Sequence, residues 1–220
     1  MQSTLPTKRI IADCASDPAL SETERTLALE RTEDVFVGLA AARGDTKSST
    51  LKPVAVARHT DVAARLTTTG RALALKVDVL ELADAWPPPL PDGVALLASE
   101  LVELADALRG RAPVRYLTIA GDVKEPIVLA APIGTSIRTL VARAGSARTA
   151  DWVAIAGGLP SGKILSRDAI VDELDGARLL LVLSVRHPMV RRLRAPPPAG
   201  EARLLIARVF VVVPFLLSPH

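Results

Sequence analysis

Val114-Arg115-Tyr116-Leu117-Thr118-Ile119-Ala120-Gly121-Asp122, followed by Ile127-Val128-Leu129, is dense in β-branched and aromatic residues and breaks at a Gly-Asp pair. Such side chains favour extended backbone, and glycine beside aspartate favours a chain reversal. The spacing predicts a β-hairpin over these two runs. Thr135 or Ser136 then stands at a helix N-cap position, ahead of Ile137, Leu140 and Val141 at helical spacing. Trp152 to Ala156 and Leu179 to Leu183 read as further strands. The expectation is a small strand-rich lobe around one helix.

Upstream, the pattern changes to alternation. Arg9-Ile10-Ile11-Ala12 reads as a buried strand ending at Asp13 and Ser16. Ser21-Glu22-Thr23-Glu24 has capping-box spacing and predicts a helix with Leu27, Leu29, Val35, Phe36, Leu39 and Ala40 on its apolar side, stopping at Gly44. Lys52 to Arg58 reads as strand, Thr60 or Asp61 as cap, Val62 to Leu66 as helix, and Leu73 to Leu80 as strand. The order β-α-β-α-β predicts a mainly parallel, helix-covered sheet. Four prolines between Trp86 and Gly93 exclude helix or central strand there, and Leu96 to Leu108 has helical spacing with Gly110 past its end. The expected fold class is therefore α/β: an α/β lobe over 1–90, a bridging helix over 91–113, a strand-rich lobe over 114–194, and a proline-rich linker with an apolar tail over 195–220.

Composition excludes several functions. The 220 residues are 49% hydrophobic but only 3% aromatic, so aliphatic packing supplies the core. A net charge of +3, with basic residues scattered apart from Arg191, Arg192 and Arg194, lacks the clustered basic face of a nucleic-acid binder. Those three arginines read as a solvated patch, with an acidic protein partner as the sharper alternative. Cys14, the one cysteine, cannot form an intrachain disulfide or supply a thiolate cage for a metal or iron–sulfur cluster. His59, His187 and His220 form no spaced metal-binding pair. Lys163 after Gly162 lacks the remainder of a phosphate-loop pattern. The N-terminal residues lack a secretory signal, and no apolar run reaches the roughly 20 residues that cross a bilayer. A cytoplasmic protein is expected, with peripheral membrane contact only through a partner or the tail Leu204 to Leu217.

Three sets of residues carry a family resemblance. Arg115 to Pro126 followed by Ala131 to Leu140 resembles the opening of a soluble-ligand-binding β-grasp (SLBB) domain. Gly157-Gly158-Leu159-Pro160-Ser161-Gly162 stands where a Gly-Gly-Pro-like turn follows, and Leu179 to Pro188 resembles a strand ending in a histidine-proline pair. Ile11 to Leu20, with Glu24-Arg25 through Leu39, is similar to an asparagine-alanine-acidic-proline segment and its next helix. Together, over residues 8–194, they resemble the group formed by the C component of the Rnf electron-transport complex, cobalamin reductase and the flavin-binding component of complex I. The resemblance implies flavin handling and electron transfer. It also has gaps: the family's glycine-rich flavin loop precedes the segment matched by Ile11 to Leu20, its tyrosine-proline stretch is shortened to Trp86-Pro87 through Asp92-Gly93, and its cluster cysteines are replaced by Ala195 to Glu201.

Cofactor-binding candidates are Asp13, Asp17, Gly157, Gly158 and Gly162, each with a plainer alternative. Acidic residues before a helix also favour its positive end, and glycines also serve tight turns. No catalytic and no metal-ligating residue is assigned. No resident cofactor is expected. Two functions remain open: a non-catalytic binding or assembly module that docks onto other subunits of an electron-transfer complex or an enzyme shell, and an oxidoreductase component that holds flavin or cobalamin weakly beside a cluster-bearing partner. A decayed or frame-altered family member is a third reading, because the tail after Arg194 leaves the family pattern.

Overall fold

The computed structural model describes residues 9–15, 21–43, 52–82, 90–157, 162–174 and 176–194. The chain divides into two compact units, one over Met1–Asp17 and Glu22–Tyr116, the other over Pro18–Ser21 and Leu117–His220. The fold is mixed α/β, with a parallel sheet in the first unit and a mixed sheet in the second.

The first unit runs β1 (Ile10–Cys14), α1 (Thr23–Glu30), α2 (Thr32–Arg43), β2 (Val54–Ala57), α3 (Thr60–Ala72), β3 (Asp78–Glu81), β4 (Val94–Leu97) and α4 (Ala98–Leu108). Its strands lie in the order β3-β2-β1-β4 with parallel pairing throughout, and Ala12 stands opposite both Ala55 and Leu96. Side chains alternate across a strand, so β1 contributes to two faces. Ala12 and Cys14 join Ala55 and Ala57 beneath Leu27, Phe36, Leu39, Leu66, Leu101 and Val102 of the helices. Ile11 and Ala15 join Val54 and Val56 on the other face, with Leu82 and Leu90 against them. Small alanines on the helix side let the helices approach the sheet closely. Each buried Leu, Val or Phe contributes roughly 1.5–3 kcal/mol.

Several expectations change here. The single helix predicted from Ser21 to Gly44 is two, divided at Arg31. Ser21 is not the cap: Glu22 holds that position without a side-chain capping hydrogen bond, and the Glu24 carboxylate is engaged elsewhere. The cap of α3 is His59, while Asp61 accepts from the Val62 amide and Thr60 donates to Glu81. Helix α3 runs on to Ala72, so the strand expected from Leu73 to Leu80 contracts to β3. The segment 91–113 holds a strand as well as a helix, and α4 is part of the first unit. Val94-Ala95-Leu96-Leu97 runs without punctuation into the helix, and pairing with β1 divides the two.

The second unit contains β5 (Val114–Gly121, begun in the first unit), β6 (Ile127–Pro132), α5 (Ile137–Arg143), β7 (Trp152–Ala156), β8 (Lys163–Leu165), a 3-10 turn (Val171–Leu174), β9 (Leu179–Ser184) and α6 (Pro188–Arg194). The sheet order is β6-β5-β9-β7-β8, with β5 and β9 parallel and β7 antiparallel to both of its neighbours. The sheet thus has β6 and β8 at its edges and the parallel β5–β9 pair at its centre, with α5 contributing to the same core. Ser136 caps α5 by accepting from the Thr139 amide, and Ile137, Leu140 and Val141 seal the core with Leu117, Ile119 and Val182. Gly121-Asp122 does not form a tight reversal. Val123 instead bridges to Ala147 before β6 begins. His187 and Pro188 do not end a strand: β9 stops at Ser184, Pro188 opens α6, and His187 Nδ1 accepts from the Met189 amide.

Candidate functional site

The parallel sheet builds outward from β1 to β2 to β3, then returns across β1 to lay down β4. Strand order therefore reverses between β1 and β4. In open α/β sheets the crevice at the carboxyl ends of the strands, at that reversal, is where ligands bind. Asp13 and Cys14 end β1, and Leu97 ends β4 and passes directly into α4.

A helix beginning there presents unpaired amides and a positive dipole end, suited to an anion. In this chain a side chain takes that place. Glu24 Oε2 accepts from the Ser99 amide at 2.7 Å and Oε1 accepts from Ser99 Oγ at 2.7 Å. Glu24 is 1% exposed and Ser99 0%. Glu100 Oε2 closes the same helix end from outside by accepting from the Leu97 amide at 2.9 Å. Asp13 is buried, and its Oδ1 accepts from the Ala15 amide at 2.9 Å, tightening the turn out of β1. Farther along the edge, Arg25 bridges Asp61 of α3 and Glu22, and its hydrogen bond holds the Asp61 carboxyl below the usual range, helped by the Val62 amide.

A second polar cluster gathers at the α1–α2 junction. Arg31 donates to Asp34, to Asp106 of α4 at 2.7 Å and to the Tyr116 hydroxyl at 2.7 Å. Tyr116 in turn donates to Asp106 at 2.7 Å, while Arg109 pairs with Asp34 and Arg111 with Asp106. Burial opposes ionisation of both aspartates, but hydrogen bonds from Arg109 and Arg31 to Asp34, and from Tyr116, Arg31 and Arg111 to Asp106, hold both carboxyls below the usual range. Burial and the Asp106 carboxylate push the Tyr116 phenol up. Every member is paired, which makes the cluster a joint between α1, α2, α4 and the start of β5.

The sequence candidates divide as follows. Asp13 lies in the first unit; Gly157 and Gly162 lie in the second; Asp17 and Gly158 fall outside the described residues. Gly157 has φ +87°, a left-handed turn conformation, and its amide donates to Leu179 O at 2.9 Å. Cys14 is buried at 1% exposure. Among the described residues no three His, Cys, Asp or Glu side chains are placed to hold a metal ion, and no helix is long and apolar enough to cross a membrane. The role of Glu24 escaped the sequence reading, which paired it with Ser21. Its partner is 75 residues away, and no local spacing signals that contact.

No protein-family model matches the chain. Over 112 residues, 48% of this chain, it is 37% identical to cobalamin reductase PduS of Salmonella typhimurium and 36% identical to cobalamin reductase PduS of Citrobacter freundii. The chain spans 24% of the length of each. Among solved structures it resembles NAD+-reducing NiFe-hydrogenase in the H2-reduced state, with a TM-score of 0.61, 17% identity, and coverage of 82% of this chain and 41% of the other. The air-oxidised state of that hydrogenase gives a TM-score of 0.57 at 16% identity, with the same coverage. The property shared with the hydrogenase is the fold.

The donor set does not suit an iron–sulfur cluster, one of the groups that the family resemblance implies. One buried thiol is not the usual four-thiolate set for an iron–sulfur cluster. Any external anion at the start of α4 would compete with the Glu24 carboxylate for the Ser99 amide.

Proposed function

We propose that this chain is a binding or assembly module of an electron-transfer complex related to cobalamin reductase, acting through protein partners and carrying no cofactor of its own. The observation that carries the reading is Glu24 seated on Ser99 at the strand-order reversal: the position suited to a ligand's anion is filled by the protein itself. Sequence similarity to cobalamin reductase supports the association with electron transfer, and the topology of the second unit supports its reading as an SLBB-like β-grasp lobe. Partners are then cluster- or flavin-bearing subunits, in the cytoplasm or at a membrane surface reached through another protein. In place of catalysis, the first unit supplies rigid surface.

The similarity to cobalamin reductase also favours a second reading, an oxidoreductase component that holds flavin or cobalamin. Purification of the tagged full chain from its native host separates the two. The module reading expects a colourless chain that co-purifies with a coloured redox protein. A chain that retains stoichiometric flavin or cobalamin after separation from its partners overturns it, as does a chain that elutes with no redox protein.

A further inference from the structure

We propose that Glu24 is an intramolecular clasp: an anion of the chain itself that fastens α1 to the start of α4 and keeps external anions off the strand-order reversal. Helix α4 is eleven residues long, and Ser99 is its second residue, where a helix's amides are open and its dipole is positive. Glu24 delivers one carboxylate oxygen to the amide and the other to the hydroxyl of that single residue, both at 2.7 Å. Charge-assisted hydrogen bonds of this length are stronger than neutral ones. Both partners are shielded from water, so the contact is neither screened by salt nor open to competition while α1 stays in place. Glu24 also sits in the first turn of α1, next to Arg25, whose guanidinium reaches Asp61 of α3. One short helix thus holds the N-terminal ends of two others. The other acid at this helix end, Glu100, serves the Leu97 amide from an exposed position and cannot replace the buried contact.

This deepens the cofactor-free reading of the first unit and rests on it. The test uses the full chain, with thermal unfolding followed in acetate or inorganic phosphate against sodium chloride at matched ionic strength. Wild type is expected to show no anion-specific shift. Glu24→Ala is expected to melt several degrees lower and to recover part of that loss saturably in acetate or phosphate, because the vacated space exposes the amide and hydroxyl. Glu24→Gln fills the space and is expected to lose stability without anion rescue. If Glu24→Ala does not remain folded, refolding yield is compared in the same three salts, with acetate or phosphate expected to raise it several-fold. An alanine variant indifferent to the anion in both assays overturns the clasp, and so does a wild type that responds as strongly as the variant. Visible absorbance of the same wild-type sample, purified from its native host, keeps the two ideas apart: bound flavin overturns the cofactor-free reading, whereas anion indifference of Glu24→Ala overturns the clasp alone.

Discussion

Gly38 shows how much a single hydrogen can decide. Where α2 crosses α4, a Cβ at position 38 would overlap the carbonyl and Cα of Leu101, and backbone on both sides leaves nothing flexible to yield. Gly38→Ala is expected to destabilise the fold by about 3 kcal/mol, the upper end of overpacking costs, read by urea denaturation. A change under about 0.5 kcal/mol, the usual surface effect, would show that the helices separate easily. Ala74 is the opposite case. It adopts φ +53° after α3, with its amide donating to Arg71 O and the Leu75 amide to Gly70 O, a helix end that glycine accommodates without a Cβ penalty. Ala74→Gly is expected to stabilise the protein by about 0.5–1 kcal/mol. Its melting temperature falling instead would mean that the loss of backbone freedom outweighs the relieved strain.

Elements in the first unit are joined by the Arg31 cluster as well as by apolar packing. Tyr116 accepts from Arg31 and donates to Asp106, so Tyr116→Phe leaves a donor and an acceptor short of a partner and is expected to cost about 1–3 kcal/mol. An unchanged denaturation midpoint would argue that water replaces the hydroxyl without loss. The pH dependence follows from the same contacts. Asp34 and Asp106 have folded pKa values below their unfolded ones, so their contribution is fully present above about pH 4 and is lost as pH falls through the depressed values. Tyr116 has a raised folded pKa: its contribution is present below about pH 10 and is lost as pH rises through the folded value. Equilibrium unfolding of Asp106→Asn should therefore lose part of the acid-side slope, and Tyr116→Phe part of the alkaline-side slope. Slopes identical to wild type in both variants would remove the cluster from the pH dependence.

For the molecule as a whole, the cysteine count sets a further expectation. Purified protein should contain no stoichiometric iron and no acid-labile sulfide, because Cys14 alone cannot supply a cluster's usual thiolates. Iron at one atom or more per chain, measured by elemental analysis after partners are removed, would overturn this. What the sequence by itself determined was the kind of each long element. The runs at Ile10–Cys14, Val54–Ala57, Trp152–Ala156 and Leu179–Ser184 are apolar enough to be buried wherever they pair, and Ser136 caps its helix through a contact three residues long. Interactions of that range are written in local spacing. Tertiary structure alone decided where continuous apolar sequence is divided, as at Leu97, because the β1 pairing that ends the strand involves Asp13, far back in the chain. It also decided which acid meets which amide. Ser21-x-x-Glu24 has the spacing of a local cap, yet folding brings Ser99 to Glu24, and a buried carboxylate goes to the helix end that satisfies both of its oxygens.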